Sequence, residues 1–82
     1  MPDTQIHADQ EVDARKLSCP MPVVKLAKAM KTLQPGQTLK LVATDLGATA
    51  DVPAWCGSTG NTLLESHEEA GELVFYVRKE EA

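Results

Sequence analysis

The sequence predicts an α/β two-layer sandwich with the element order βαβαββ, in which a four-stranded mixed sheet carries two helices on one face. Three observations lead to this prediction. Apolar residues recur at helical spacing in one segment, they alternate with polar residues in another, and glycine or proline separates the segments. A chain of 82 residues has room for one domain with a modest core.

The first half of the chain predicts a strand, a helix and a second strand. The first strand is expected at residues 10–13. The helix begins at the proline pair of residues 20 and 22 and continues to residue 33, because apolar residues recur three and four positions apart at Val23, Leu26, Ala27, Met30 and Leu33. Gly36, in the segment Gln-Pro-Gly, is expected to be the left-handed residue after the helix. Alternation in "TLKLVAT" predicts the next strand at residues 38–44.

The second half predicts a shorter helix at residues 49–58 and two strands at 61–67 and 72–79. A four-residue turn that ends in Gly71 joins these strands, which is typical of a hairpin. Placing both helices on one face of the sheet is the simplest arrangement that buries the apolar side of each element. The order of the strands within the sheet stays open at this point.

The formal net charge of −4 is unevenly distributed along the chain. Residues 14–44 contain all the cations except Arg78 and Lys79, and they contain no acidic residue. This basic segment is either an ordinary solvated surface or a cationic rim around Cys19 that attracts an anionic group or an acidic partner. Residues 1–8 are expected to form a flexible N-terminal tail, and residues 9–82 a single domain.

Several function classes are not expected. The chain has no segment that is long and apolar enough for a signal peptide or a membrane span, so a cytoplasmic protein without membrane association is expected. Its two cysteines, Cys19 and Cys56, match neither a zinc-ligand spacing nor a C-x-x-C redox motif. Neither a metal nor another cofactor is therefore expected. In a reducing compartment both cysteines should be thiols.

Cys19 lies in the segment "SCPMP", whose two prolines restrict the backbone. Pro20 disfavours helical dihedrals for the preceding residue, and extended dihedrals are those of a residue that caps a helix. Pro20 then occupies the first helical position and Pro22 the third, where a missing N–H removes no bond within the helix. The sequence therefore predicts Cys19 as the N-cap of the first helix.

A sulfur at a helix start is expected to be reactive. The positive end of the helix dipole and neighbouring cations lower the pKa of a cysteine and raise its thiolate fraction. The backbone amides of Met21 and Val23 are the expected hydrogen-bond donors to the sulfur. Three cations near it in the sequence are expected to support the thiolate or contact partners: Arg15, Lys16 and Lys25. The alternative is a buried cysteine that fills space between a strand and a helix.

Asp45 follows the second strand as Cys19 follows the first. If these strands are parallel, both residues lie at the same edge of the sheet, where α/β proteins usually bind ligands. Asp45 is then expected to cap the second helix, with contact to a basic residue of a partner as the alternative. Asp51 has the same two interpretations, and the structural one is favoured over contact with a basic residue of a partner. Cys56 is expected to be a core or semi-buried residue that is not disulfide-bonded to Cys19, with a role as a secondary thiol as the alternative.

The segment "DARKLSCPMP" at residues 13–22, followed by "LQPGQTL", "ATD" and "DVPAWC", resembles the TusA/SirA-like sulfur-carrier proteins. The resemblance covers about residues 11–79. It implies a two-layer α/β sandwich and a sulfurtransferase activity centred on Cys19. In that activity the cysteine accepts sulfane sulfur as a persulfide from a cysteine desulfurase or a rhodanese-like donor. It then passes the sulfur to an acceptor such as a DsrE-type protein.

The resemblance has two departures, and it leaves the pathway open. Family members often have glycine where Lys16 stands and proline where Leu46 follows Asp45, and both changes would alter which partner docks. Similar carriers are linked to tRNA thiolation, molybdenum-cofactor formation and sulfur oxidation. A monomer is expected, because the sequence shows no large apolar surface.

The alternative function is a non-catalytic RNA- or protein-binding module with a structural Cys19. The predicted fold also resembles the C-terminal domain of a bacterial translation initiation factor, and residues 14–44 are basic. However, the chain is acidic overall and lacks interleaved aromatic residues or an RNA-binding motif. Direct binding of nucleic acid is therefore not expected.

Overall fold

The computed structural model describes residues 6–80 and confirms the predicted order of elements. The strands are β1 (Gln10–Ala14), β2 (Thr38–Ala43), β3 (Thr62–Glu69) and β4 (Glu72–Arg78), and the helices are α1 (Met21–Met30) and α2 (Ala48–Thr59). The largest difference from prediction is at the end of α1, which stops at Met30 rather than at Leu33. There the N–H groups of Thr32 and Leu33 bond three residues back, to the carbonyls of Ala29 and Met30.

The four strands form one mixed sheet in the order β1-β2-β4-β3. Strand β1 is parallel to β2, while β4 is antiparallel to both β2 and β3. Helix α1 connects the two parallel strands, as such a connection requires. Because Ala14 lies opposite Ala43, the carboxyl ends of β1 and β2 are at the same edge of the sheet. The loops that follow these two strands therefore meet.

The main core lies between the sheet and the two helices, which cover one face as predicted. It includes Leu26 and Met30 from α1, Val52 and Cys56 from α2, and the inward-facing residues of the strands. Leu26 is completely buried, and burial of such a side chain stabilises the fold by about 1.5–3 kcal/mol. Cys56 is 4% exposed, which confirms that it is a core residue, and both cysteines are free thiols.

A second, smaller apolar cluster occupies the opposite face of the sheet. It consists of Val42, Val74 and Tyr76. Ile6 and Ala8, which the sequence places in the N-terminal tail, pack against this cluster. Asp9 fixes the segment to β2, because its N–H donates to the Thr38 carbonyl (2.8 Å) and its carboxylate accepts the Thr38 N–H (2.9 Å). The rest of the predicted tail, residues 1–5, lies outside the described residues.

Candidate functional site

Cys19 lies in the loop between β1 and α1, and its side chain is exposed. The N–H of Met21 donates to the Ser18 carbonyl (2.8 Å), which closes a four-residue turn with Cys19 and Pro20 at its centre. The peptide bond between Cys19 and Pro20 is cis. As a consequence of the turn, the N-cap of α1 is Pro20 and the helix begins at Met21. The prediction that Cys19 is the N-cap is therefore wrong by one residue.

The backbone amides that were expected to bind the sulfur have other partners. The N–H of Met21 closes the turn on Ser18, and the N–H of Val23 donates to the Pro20 carbonyl at 3.1 Å. Pro22, the second residue of α1, has no N–H to offer. The first turn of the helix thus satisfies its own donors, and the prediction that Met21 and Val23 hold the sulfur is wrong.

Two of the three expected cations are bound elsewhere. The Arg15 guanidinium pairs with the Asp13 carboxylate (Nε–Oδ1, 2.9 Å) and with Glu72 (Nη1–Oε2, 3.1 Å). Lys25 donates from its Nζ to the Asp13 carbonyl oxygen at 3.0 Å. Both side chains are therefore fixed on the end of β1. The prediction that they support a thiolate at Cys19 is wrong, because acceptors on β1 and β4 engage them.

Lys16 has a backbone role that its charge does not indicate. Its φ of +69° lies in the left-handed region, which favours glycine. The N–H of Lys16 donates to Thr44 Oγ1 at 2.8 Å and so joins the loop after β1 to the end of β2.

Asp45, in the loop after β2, is joined directly to the cysteine. Its Oδ2 accepts the backbone N–H of Cys19 at 2.8 Å. This bond confirms the prediction that the two residues lie at the same edge of the sheet. The N-cap of α2 is Gly47, and no side chain caps that helix. The prediction that Asp45 is the cap is therefore wrong, because its carboxylate is directed at the preceding loop.

Asp51, for which the sequence favours a structural role, is a direct neighbour of the Cys19 thiol. The Cys19 thiol donates a hydrogen bond from Sγ to Asp51 Oδ2, at 2.7 Å, from the first turn of α2. This hydrogen bond, then partial desolvation and the negative charges of Asp51 and Asp45, raise the pKa of the Cys19 thiol above its usual range. The prediction of a stabilised thiolate is therefore wrong, because these carboxylates favour the protonated thiol over the thiolate. The sequence offers one signal for this contact, which is an acidic residue in the first turn of α2.

Gly47 lies beside Cys19 and the carboxylate of Asp45. A Cβ atom at this position would lie 3.5 Å from Cys19 Cβ and 3.2 Å from Asp45 Oδ2. The backbone of Gly47 is in the ordinary helical region, with φ of −58°, so its conformation does not require glycine. The close approach of Asp45 Oδ2 favours glycine here, whereas 3.5 Å from Cys19 Cβ is an ordinary van der Waals contact. The sequence indicates Gly47 only as part of the break after β2.

Two large apolar side chains are exposed in the same pair of loops and at the start of α1. Leu46 is 73% exposed and Met21 is 44% exposed.

The second thiol, Cys56, is buried in the core, and burial raises its pKa. Within residues 6–80, no three His, Cys, Asp or Glu side chains come together in a metal-binding group. In the same part of the chain, neither helix is long and apolar enough to cross a membrane.

Comparisons with known proteins place the chain in one family. The sequence model of the family described as "Sulfurtransferase TusA" matches residues 10–79. The sulfur carrier protein TusA of Allochromatium vinosum is 42% identical over 71 residues, which cover 87% of this chain and 93% of that protein. TusA of Pseudomonas paraeruginosa is 41% identical over 71 residues, with 87% and 90% covered.

A solved structure shares the fold. The crystal structure of a SirA-like protein from Desulfitobacterium hafniense superimposes with a TM-score of 0.76 and 18% sequence identity. The match covers 88% of this chain and 99% of that one. It supports the two-layer arrangement of sheet and helices described above.

Proposed function

Because the chain belongs to the TusA family, whose model spans residues 10–79, we propose that it is a sulfur carrier. In this proposal Cys19 accepts sulfane sulfur as a persulfide and hands it to an acceptor protein. Because the protein moves sulfur from a donor to an acceptor, its reaction type is that of a sulfurtransferase. The carrier itself ends each cycle unchanged. Relatives of similar length carry the name sulfur carrier protein, which supports the coarser part of the proposal.

The observation that carries the proposal is the contrast between the two thiols. Cys19 is exposed in a loop that is anchored by hydrogen bonds to Asp45 and Asp51, whereas Cys56 is buried in the core. Transfer requires that a donor cysteine and later an acceptor cysteine reach the same sulfur atom. Only Cys19 meets that requirement in this structure.

The transfer needs no electron donor or acceptor. In loading, Cys19 Sγ bonds to the outer sulfur of the donor persulfide, the sulfur–sulfur bond of the donor breaks, and the donor leaves as a thiol. In discharge, the thiolate of the acceptor attacks the outer sulfur on Cys19, and the Cys19 thiol is restored. Each step is an exchange at sulfur of the kind that thiols and disulfides undergo.

The resemblance to TusA/SirA-like proteins implies two classes of protein partner. The donor we propose is a cysteine desulfurase or a rhodanese-like protein, and the acceptor is a DsrE-type protein. The exposed side chains of Leu46 and Met21 offer apolar contact area close to the thiol. Asp45 and Lys25 remain predicted contact residues for these partners. Substitution Leu46→Ser is expected to slow transfer from a protein donor and to leave transfer from a small persulfide unchanged.

Intact-mass measurement tests the proposal. Incubation with a persulfide donor is expected to add the mass of one sulfur atom to the wild type and to Cys56→Ser. Cys19→Ser is expected to remain unmodified. Full loading of Cys19→Ser together with loss of loading in Cys56→Ser would assign the transfer to the other thiol and overturn the proposal.

A further inference from the structure

We infer that Asp51 determines how tightly this carrier holds its sulfur: its carboxylate favours the unloaded thiol over the anionic persulfide. Cys19 is then a weak sulfur acceptor and a strong sulfur donor. This inference rests on the proposed function, because it concerns the balance between the unloaded and loaded forms of Cys19. It assigns Asp51 as a catalytic residue, since its oxygen touches the reacting sulfur.

The hydrogen bond between the two side chains exists only in the unloaded form. Cys19 Sγ is the donor and Asp51 Oδ2 the acceptor, at 2.7 Å, and an ionised carboxylate can only accept. A persulfide anion has no proton to donate. Loading therefore replaces a charge-assisted hydrogen bond with two negative groups at short range.

The other charged groups near Cys19 do not compensate for that repulsion. Asp45 adds a second carboxylate, bonded to the backbone N–H of Cys19. The expected cations Arg15 and Lys25 are bound at the end of β1. Lys16 precedes the cysteine in the same loop. Within residues 6–80, neither Asp45 nor Asp51 forms an ion pair with any cation, Lys16 included.

The balanced reaction shows which side Asp51 favours. The Cys19 thiol and the donor persulfide anion give the Cys19 persulfide anion and the donor thiol. The Cys19 proton passes to the donor, and one negative charge arrives beside Asp51. The carboxylate therefore shifts this equilibrium toward the unloaded carrier and shifts the discharge step toward the acceptor. The raised pKa of the Cys19 thiol is consistent with the same preference.

The experiment equilibrates the full-length protein with a mixture of glutathione persulfide and glutathione and measures the loaded fraction by intact mass. Peptide mapping assigns the added sulfur to Cys19. Asp51→Asn is expected to raise the equilibrium constant for loading by about threefold or more. Asp51→Glu, which keeps the charge, should stay closer to wild type. Glu11→Gln removes one charge on an exposed position of β1 and should leave the constant unchanged.

A second measurement needs no sulfur transfer. The rate of alkylation by iodoacetamide as a function of pH reports the titration of Cys19, and Asp51→Asn is expected to move its midpoint to lower pH. If Asp51→Asn does not fold, Asp51→Ser provides a neutral residue that helix starts accept.

The outcomes separate the inference from the proposed function. If the alkylation midpoint moves but the loading constant of Asp51→Asn equals that of wild type, the inference is wrong and the sulfur-carrier function stands. If wild-type Cys19 takes up no sulfur, both are wrong. If the loading constant rises in Asp51→Asn and in Glu11→Gln alike, the effect is one of net charge, and the assignment to Asp51 is wrong.

Discussion

Cys19 and Asp45 are 26 residues apart in the chain and are joined by a hydrogen bond of 2.8 Å from the backbone N–H of the first to the carboxylate of the second. The bond connects the loop after β1 with the loop after β2. The loop that carries the sulfur is therefore anchored on the neighbouring strand of the sheet and not only on the helix that follows it.

Removal of this anchor should destabilise the protein. Asp45→Ala leaves the Cys19 N–H without its partner, and we expect a loss of about 1–2 kcal/mol in the free energy of unfolding, measured by urea denaturation. Asp45→Asn keeps a neutral acceptor and should lose less. Equal stability of Asp45→Ala and wild type would show that water replaces the carboxylate at no cost.

A side chain at position 47 should obstruct the cysteine. We expect Gly47→Val to lower the free energy of unfolding by about 1 kcal/mol, because its Cβ would displace the Asp45 carboxylate from 3.2 Å. In this variant the rate at which Cys19 reacts with a bulky aromatic disulfide should fall more than the rate at which it reacts with iodoacetamide. Gly57→Val is the matched control, because a Cβ at Gly57 meets no atom within 4 Å. Identical rates in both variants would contradict the predicted obstruction.

The protein should be more stable with glycine than with lysine at position 16. Because Lys16 has a φ of +69°, Lys16→Gly relieves a left-handed conformation, and we expect a gain of about 0.5–1 kcal/mol in the free energy of unfolding. The control Lys28→Gly places glycine within α1 and should cost about 0.5–1 kcal/mol. A loss of stability in Lys16→Gly comparable to that control would refute the argument from backbone conformation.

The pattern of apolar residues was sufficient to predict the elements of the fold and one part of the site. The spacing of apolar residues and the positions of glycine and proline predicted all six elements, and the structure shows the parallel pairing of β1 and β2 that the sequence left as a condition. That relation places Cys19 and Asp45 at one edge, as the structure confirms. Burial of Cys56 followed from its position within α2.

The electrostatics of the site could not be predicted, because they depend on which partners each side chain selects. Arg15 is close to Cys19 in the sequence, yet its guanidinium forms an ion pair with Glu72, which is 57 residues away. Asp51 reaches the sulfur across 32 residues, and only the orientation of the first turn of α2 places it there. Proximity in the sequence therefore predicts cations beside Cys19, whereas the structure places the carboxylates of Asp45 and Asp51 there.

The contact between Asp51 and Cys19 also links the chemistry of the sulfur to completion of the fold. In an unfolded chain the thiol has no carboxylate beside it and titrates as a free cysteine. Because the folded pKa is raised, the contact stabilises the native state below the unfolded pKa, and this contribution is lost as pH rises through the folded pKa. A nascent chain thus exposes a thiol that is more readily ionised than that of the mature protein. Folding is therefore expected to lower the thiolate fraction of Cys19 at a given pH.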